Sequence, residues 1–357
     1  MGAFPAVIGT TSKYRSLGTD NVGNVLHAVA GRRLLQRYTE FPTSREWTDD
    51  ELERVESHSH IVIIMANAVR LGAKESALEP HHEIMRRNIE RTTRPVVVFG
   101  LGAQAAAMQD AQYSAPPGTL RLLKVVSERS RRIAVRGEFT ADALRRLGIN
   151  NPEVIGCQSC FLSREGEFPF PITDAVDATG TISFNYTSSR VEKRLIQFAV
   201  SQGYDMIGQL ERFEAHAREG LDFELTSGMQ SLLMFLGMTA DQYRAYCREH
   251  FHVFNELDPW LAHMKRYSFS MGSRFHGNMM ALQAGIPALW LVHDERTREL
   301  CDFLKLPHVE LHKALEWNRL EDFIEVADYG PFLKAYPERY RRLKAYVEDA
   351  GLPHTLN

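Results

Sequence analysis

The stretch SMGSRFHGNMMALQAGIPALW, Ser270–Trp290, decides how this chain is built. On its left, YSFSM is an apolar, β-rich run of strand length. At its centre, GNMMALQAG reads as a helix closed by a glycine, and PALWLV on its right is a second strand. Strand, helix and strand in immediate succession predict a parallel βαβ unit. Arg274 and His276 stand at the seam between strand and helix. If the chain is still extended there, they share one face while Phe275 turns away. Gly277 lets the backbone come close to a ligand, and the helix start turns free N–H groups toward the same spot. A guanidinium, an imidazole and a helix N-terminus together suit a phosphate or carboxylate. The simpler alternative is a solvated loop.

The same alternation runs through the chain. PAVIG, HIVIIM, RPVVVFG, RIAVR and PEVIG read as strands, separated by helical stretches such as NVLHAVAGRRLLQ and FTADALRRLG. Thr48 with Glu51 and Thr239 with Gln242 form capping boxes, Thr140 reads as an N-cap, and Gly148 stands where a left-handed helix end belongs. The segment SREGEFPFPITDAVDATG, Ser163–Gly180, lacks periodicity and reads as a linker, after which TISFNY, YDMIGQ, YSFSM, PALWLV and HVELH restart the alternation. The expected fold is α/β: two Rossmann-like, doubly wound domains facing a cleft. The first spans 1–165, a linker 166–180, the second 181–335 and a charged C-terminal helix 336–357. Ligands of such sheets bind beyond the carboxyl ends of the strands.

Bulk properties exclude several classes. With 357 residues, 44% hydrophobic and 24% charged, the chain has ample material for two cores. A net charge of -3 gives no field for nucleic-acid binding. Apolar runs fall short of a bilayer span and no secretory signal is visible, so a cytoplasmic protein is expected. Four cysteines make no disulfide framework. Cys157-x-x-Cys160 follows a strand without opening a helix and has no partner motif, so a structural role is expected. His81 and His82 lack a third ligand, and neither a metal nor a cofactor is expected.

Other turns repeat the pattern at Arg274. Arg136 ends the strand RIAVR, before Gly137 and Glu138, so two arginines from opposite walls would suit a doubly anionic ligand. Asp20, Asn21, Gly23 and Asn24 form a polar turn before a helix, fit either for capping it or for holding a ligand. Gly100, Gly102 and Ala105, in FGLGAQA, match a dinucleotide fingerprint. No acid ends a strand about 20 residues on, which favours a tight turn at the cleft instead. LVHDERTREL sets His293, Asp294, Glu295 and Arg296 at another strand end.

The succession of Asn21-x-Gly23, GLGAQ, Arg136-x-Glu138 and SRFHG with ALQAGIP resembles the polysaccharide pyruvyl transferase family from about Asp20 to Pro307, most specifically over Ser273–Pro287. The resemblance implies a layout similar to GT-B glycosyltransferases. It implies transfer of the enolpyruvyl group of phosphoenolpyruvate to sugar hydroxyls, forming a pyruvate ketal. On it, Arg136 and Arg274 clamp the donor and His276 is the acid. Asn21, Gly23, Asn24, Gly102, Gln104, Phe275, Gly277 and His293 fall at expected binding positions. Asp20, Glu138 and His293 are candidates for the base. The implied partners are phosphoenolpyruvate and a saccharide acceptor, free, nucleotide-linked or lipid-linked, with any membrane association through the acceptor alone. The chain departs from the family pattern at Asn24, where Asp is common, at GCQSC after Pro152, and at Glu295-Arg296, where many members have a D-x-K lysine. Competing readings are a GT-B-type nucleotide-sugar glycosyltransferase and a sugar- or anion-binding protein without catalysis.

Overall fold

The computed structural model describes residues 4–10, 21–73, 75–105, 113–172, 176–222 and 224–357. Among them the first half contributes β1 (Ala6–Gly9), β2 (Thr39–Glu40), β3 (Ile61–Ile64), β4 (Val69–Leu71), β5 (Val96–Leu101), β6 (Ala103–Ala105), β7 (Ile133–Val135) and β8 (Pro152–Val154). The second half contributes β9 (Ile182–Asn185), β10 (Asp205–Ile207), β11 (Phe251–His252), β12 (Phe269–Gly272), β13 (Ala288–Val292) and β14 (His308–Glu310). Two six-stranded sheets result, ordered β2-β1-β3-β5-β7-β8 and β11-β10-β9-β12-β13-β14, with a small β4-β6 pair beside the first. Every pairing between these strands is parallel. Successive residues of β3, β9, β12 and β13 are all buried, so both sheet faces are covered, as parallel sheets require. The fold is therefore the doubly wound pair read from the alternation of apolar runs.

Strand order reverses direction between β1 and β3 in one sheet and between β9 and β12 in the other. Such switch points open a crevice at the carboxyl ends of the strands. Residues 176–180 of the connecting segment form neither strand nor helix. The last long helix, Gly330–Asp349, returns to the first half, where the Tyr346 hydroxyl donates to the Val98 carbonyl at 2.8 Å and accepts from the Val98 N–H at 3.2 Å. It carries Pro337 internally and starts before the charged run that marks it in the sequence. The capping boxes at Thr48 and Thr239 are formed, and Gly148 is left-handed at φ +83°.

The turn after β12 is held by buried amides. Asn278, fully buried, donates to the carbonyls of Gly272 and Leu289 at 2.8 and 3.0 Å and accepts from Ser270 and Asn185 at 3.0 and 2.7 Å. Asn185 in turn accepts from the Arg274 N–H at 2.8 Å. One side chain thus ties β9, β12 and β13 together beneath the seam. Gly272 has φ +148°, and a Cβ there would lie 1.9 Å from the Asn185 carbonyl oxygen. Neither the backbone angle nor the space admits a side chain. Gly272→Ala is expected to destabilise the chain by at least about 3 kcal/mol, read as a fall in the urea midpoint.

One local expectation gives way to tertiary context. Thr140 is not an N-cap, because its helix, Glu138–Arg146, starts at Gly137. The tight turn expected at Gly100 and Gly102, in preference to a dinucleotide fingerprint, leads into a short strand, since the chain beyond Gly102 enters β6 and opens no helix. Gly100, at φ +68°, instead makes room for His27, whose Cε1 would lie 2.3 Å from a Cβ at that position.

Candidate active site in the interdomain cleft

The carboxyl ends of the strands converge on one crevice. Asn67 beyond β3 and Arg136 after β7 line it from the first half, with Asn21 and Asn24 at the start of the helix Val22–Arg33. Thr187, Gln209, Ser273, Arg274, His276 and His293 line it from the second half, each just past a strand. Phe275 and Arg296 also line the wall.

Arg136 is almost wholly buried. Its Nε donates to the Gly100 carbonyl at 3.0 Å, one terminal nitrogen donates to Asn67 at 2.8 Å, and the other lies 3.4 Å from His27 Nδ1. Gly102 permits this course, since a Cβ there would stand 2.9 Å from Arg136 Cδ. These neutral contacts aim the guanidinium without neutralising it. Arg274 is held differently: Nε donates to the Tyr186 carbonyl at 2.8 Å, and a terminal nitrogen pairs with the Glu211 carboxylate. Arg296 likewise pairs with Asp294, the N-cap of the helix Glu295–Leu304. Among the described residues no carboxylate forms an ion pair with Arg136, and a buried cation without one costs free energy unless an anion arrives, so of the three Arg136 has most to gain from one.

The helix after β12 begins at Phe275, two residues before the Gly277 start that the sequence suggests. Arg274 is its N-cap and His276 lies in its first turn. Both therefore reach the cleft because the helix end points into it, not because a strand alternates. His276 Nε2 is 3.8 Å from Cys157 Sγ, which itself lies 3.3 Å from His27 Nδ1 and 2.9 Å from Ser159 Oγ. Burial pushes the Cys157 thiol up, but hydrogen bonding to Cys160 and the two imidazoles outweighs it and holds the thiol well below its ordinary value. Burial and Arg136 push His27 down, against the thiol's pull. The helix Val22–Arg33 comes close enough that a Cβ on Gly23 would stand 3.0 Å from His276 Nδ1.

Two buried polar atoms at the cleft, Gln209 Nε2 and His293 Nδ1, have no hydrogen-bond partner among the described residues. His293 Nε2 is 3.5 Å from Asp294. Burial, with help from Arg296 and Arg274, pushes its imidazole below the ordinary value although Asp294 pulls the other way.

Other expected residues are placed less centrally. Asn21 caps its helix, accepting from the Gly23 N–H at 2.9 Å. Gly277 packs against Asn185, and Gln104 lies on β6 away from the crevice wall. Glu138 is exposed and does not line the cleft. Asp20 lies outside the described residues. His82 bonds Thr119 at 2.9 Å, a structural pairing.

Sequence reasoning missed His27, Asn67, Thr187 and Gln209 and gave Cys157 a structural role only; nearly all follow a strand's carboxyl end. Applying that rule evenly would have found them. His27 had a different signal, lying three residues beyond Asn24 and four beyond Gly23, on their helix face.

The model of the family described as polysaccharide pyruvyl transferase matches residues 21–295. That is most of the chain, and it contains every cleft residue named above except Arg296: this protein belongs to the polysaccharide pyruvyl transferase family, a family of transferases. Comparison with curated proteins found no match. Among solved structures the chain is similar to a UDP-N-acetylglucosamine 2-epimerase from Rickettsia bellii (9% identity, TM-score 0.45, covering 98% of this chain and 97% of that one). It is also similar to Anabaena Alr3699/HepE in complex with UDP and glucose (8% identity, TM-score 0.46, covering 98% and 99%). No helix among the described residues is long and apolar enough to cross a membrane.

One carboxylate joins the two halves behind the cleft. Glu299 accepts from the Thr140 N–H at 2.9 Å and from the Thr140 hydroxyl at 2.8 Å, capping a helix whose own start is the side-chain-less Gly137. Burial pushes Glu299 up to about 7 from 4.5, against the Thr140 hydrogen bonds and Arg136. Between those values the folded chain holds a proton that the unfolded chain has lost. Stability therefore falls as pH rises through that window, by up to about 3 kcal/mol. Urea denaturation across pH 4.5–8 should show that slope, flattened in Glu299→Gln.

Proposed function

We propose that this protein transfers the enolpyruvyl group of phosphoenolpyruvate to two hydroxyls of a saccharide, releasing phosphate and leaving a cyclic pyruvate ketal. The observation that carries the reading is the union, in one cleft of a pyruvyl transferase family member, of Arg136, which no described carboxylate pairs, Arg274 at the N-cap position and the acid-capable His276. A donor with a phosphate and a carboxylate would answer Arg136 with one anionic group and offer the other to the wall that carries Arg274 and His276.

In the proposed cycle a sugar oxygen bonds to C2 of the donor while C3 takes a proton from His276, turning methylene into methyl. His293, neutral beside Asp294, takes the proton of that hydroxyl. Phosphate then leaves C2 with the bonding electron pair and receives the His293 proton. The second hydroxyl attacks C2 and closes the ketal, returning its proton to His276. Both imidazoles end the cycle as they began, and His293 serves as the base in place of Glu138, which is exposed and does not line the cleft.

Incubation with phosphoenolpyruvate should release phosphate only when a suitable glycan is present. A general acid contributes roughly 10²–10⁴-fold, so His276→Ala should lower kcat by that order while donor affinity, read by thermal shift, changes little. Equal loss of both would reduce His276 to a binding residue. The acid limb of the pH–kcat profile should fall below pH 6.5, because His293 is pushed down and must be neutral to accept a proton; a limb above that value would remove it as the base. A nucleotide-sugar transferase would instead be stabilised by UDP- or GDP-sugars, and a binding protein would show donor stabilisation without phosphate release.

A further inference from the structure

We propose that Asp205, His252 and His263 form a binding site for a late first-row divalent metal ion, zinc foremost, at the edge of the second sheet. The three come from separate elements: the start of β10, the end of β11, and the helix Leu257–Met264. One donor atom from each lies within 4.8 Å of the others. Zinc bonds of about 2.0–2.1 Å at tetrahedral angles place donors roughly 3.4 Å apart, so small rotations close the set. Two imidazoles and a carboxylate are a borderline-hard donor set that suits zinc and its neighbours and leaves one position for water.

The geometry of one pair is the independent sign. His252 is nine-tenths buried, and its Nε2 lies 3.2 Å from Asp205 Oδ2, close enough to hydrogen bond. Yet among the described residues Nε2 has no well-aligned hydrogen-bond partner. A buried imidazole nitrogen left unpaired beside a carboxylate is costly in an apolar setting. A metal ion would satisfy that nitrogen and the carboxylate together. The His263 ring stands against His252 with centroids 4.5 Å apart.

Outer contacts are of the kind that orient metal ligands. His250 Nδ1 holds the other Asp205 oxygen at 3.0 Å, and the Tyr267 hydroxyl bridges Asp205 Oδ2 at 2.9 Å and His263 Nε2 at 2.8 Å. A second cluster, His27, Cys157 and His276, also brings three donors together. The Arg136 guanidinium, 3.4 Å from His27 Nδ1, opposes a cation there. The Asp205 site begins the strand whose other end leads to Gln209 in the cleft, so its ion would staple a helix to the sheet edge and take no part in transfer. A sequence scan for spaced His and Cys misses it because the ligands are scattered over three elements.

The full chain, stripped with chelator, should bind one zinc ion per chain by equilibrium dialysis and melt at higher temperature with zinc. His252→Ala and His263→Gln should each weaken zinc binding by at least about 100-fold, while Cys157→Ser leaves it intact. His263 is half-buried, so its variant serves if His252→Ala fails to fold by circular dichroism. Cobalt in place of zinc should give tetrahedral d–d bands without thiolate charge transfer. Absence of retained zinc at micromolar free metal, binding unchanged in both histidine variants, or a thiolate band would each overturn the site.

Discussion

The Glu299 carboxylate crosses the seam between the two halves, and the cleft depends on it. A helix that starts at Gly137 has no side chain of its own to satisfy its first N–H groups. The cap comes instead from a helix of the other domain, and a Cβ on Gly137 would stand 2.5 Å from Glu299 Cβ. The glycine therefore exists for the approach, and the approach sets Arg136, just upstream, against the wall that carries His276. Local capping and domain orientation are one interaction.

Charge accounting in the cleft follows from that orientation. Arg274 and Arg296 each meet a carboxylate, so their burial is compensated within the protein. Arg136 meets a carbonyl, an amide and an imidazole, which aim it but leave its charge. The crevice thus concentrates positive charge at the first-domain wall, and unpaired polar atoms on Gln209 and His293 lie across from it. Such a surface is preorganised for an anion with further oxygens to place. A histidine beside Asp294 and another beside Cys157 give the same crevice two groups able to exchange protons.

Much of this was readable without coordinates. The period of apolar runs specified parallel α/β units, and the strand-end rule brought Arg136, Arg274, His276 and His293 forward together. The capping boxes at Thr48 and Thr239 were readable because each is closed by residues three apart. Thr140 was misread for the complementary reason: its partner is 159 residues away. Gly100 and Gly102 matched a nucleotide motif by spacing, yet their glycines make way for His27 and Arg136.

By itself the sequence determined the elements, their parallel pairing, and the family with its arginines and histidine, because those are written in local pattern and contiguous motif. Only the tertiary structure decided which charges are left unanswered. It showed that Arg274 is tied to Glu211 while Arg136 is not, that Cys157 stands between His27 and His276, and that Glu138 faces outward. The reason is physical: an ionisable group's state depends on its burial and on partners brought from distant strands, and no local window contains them.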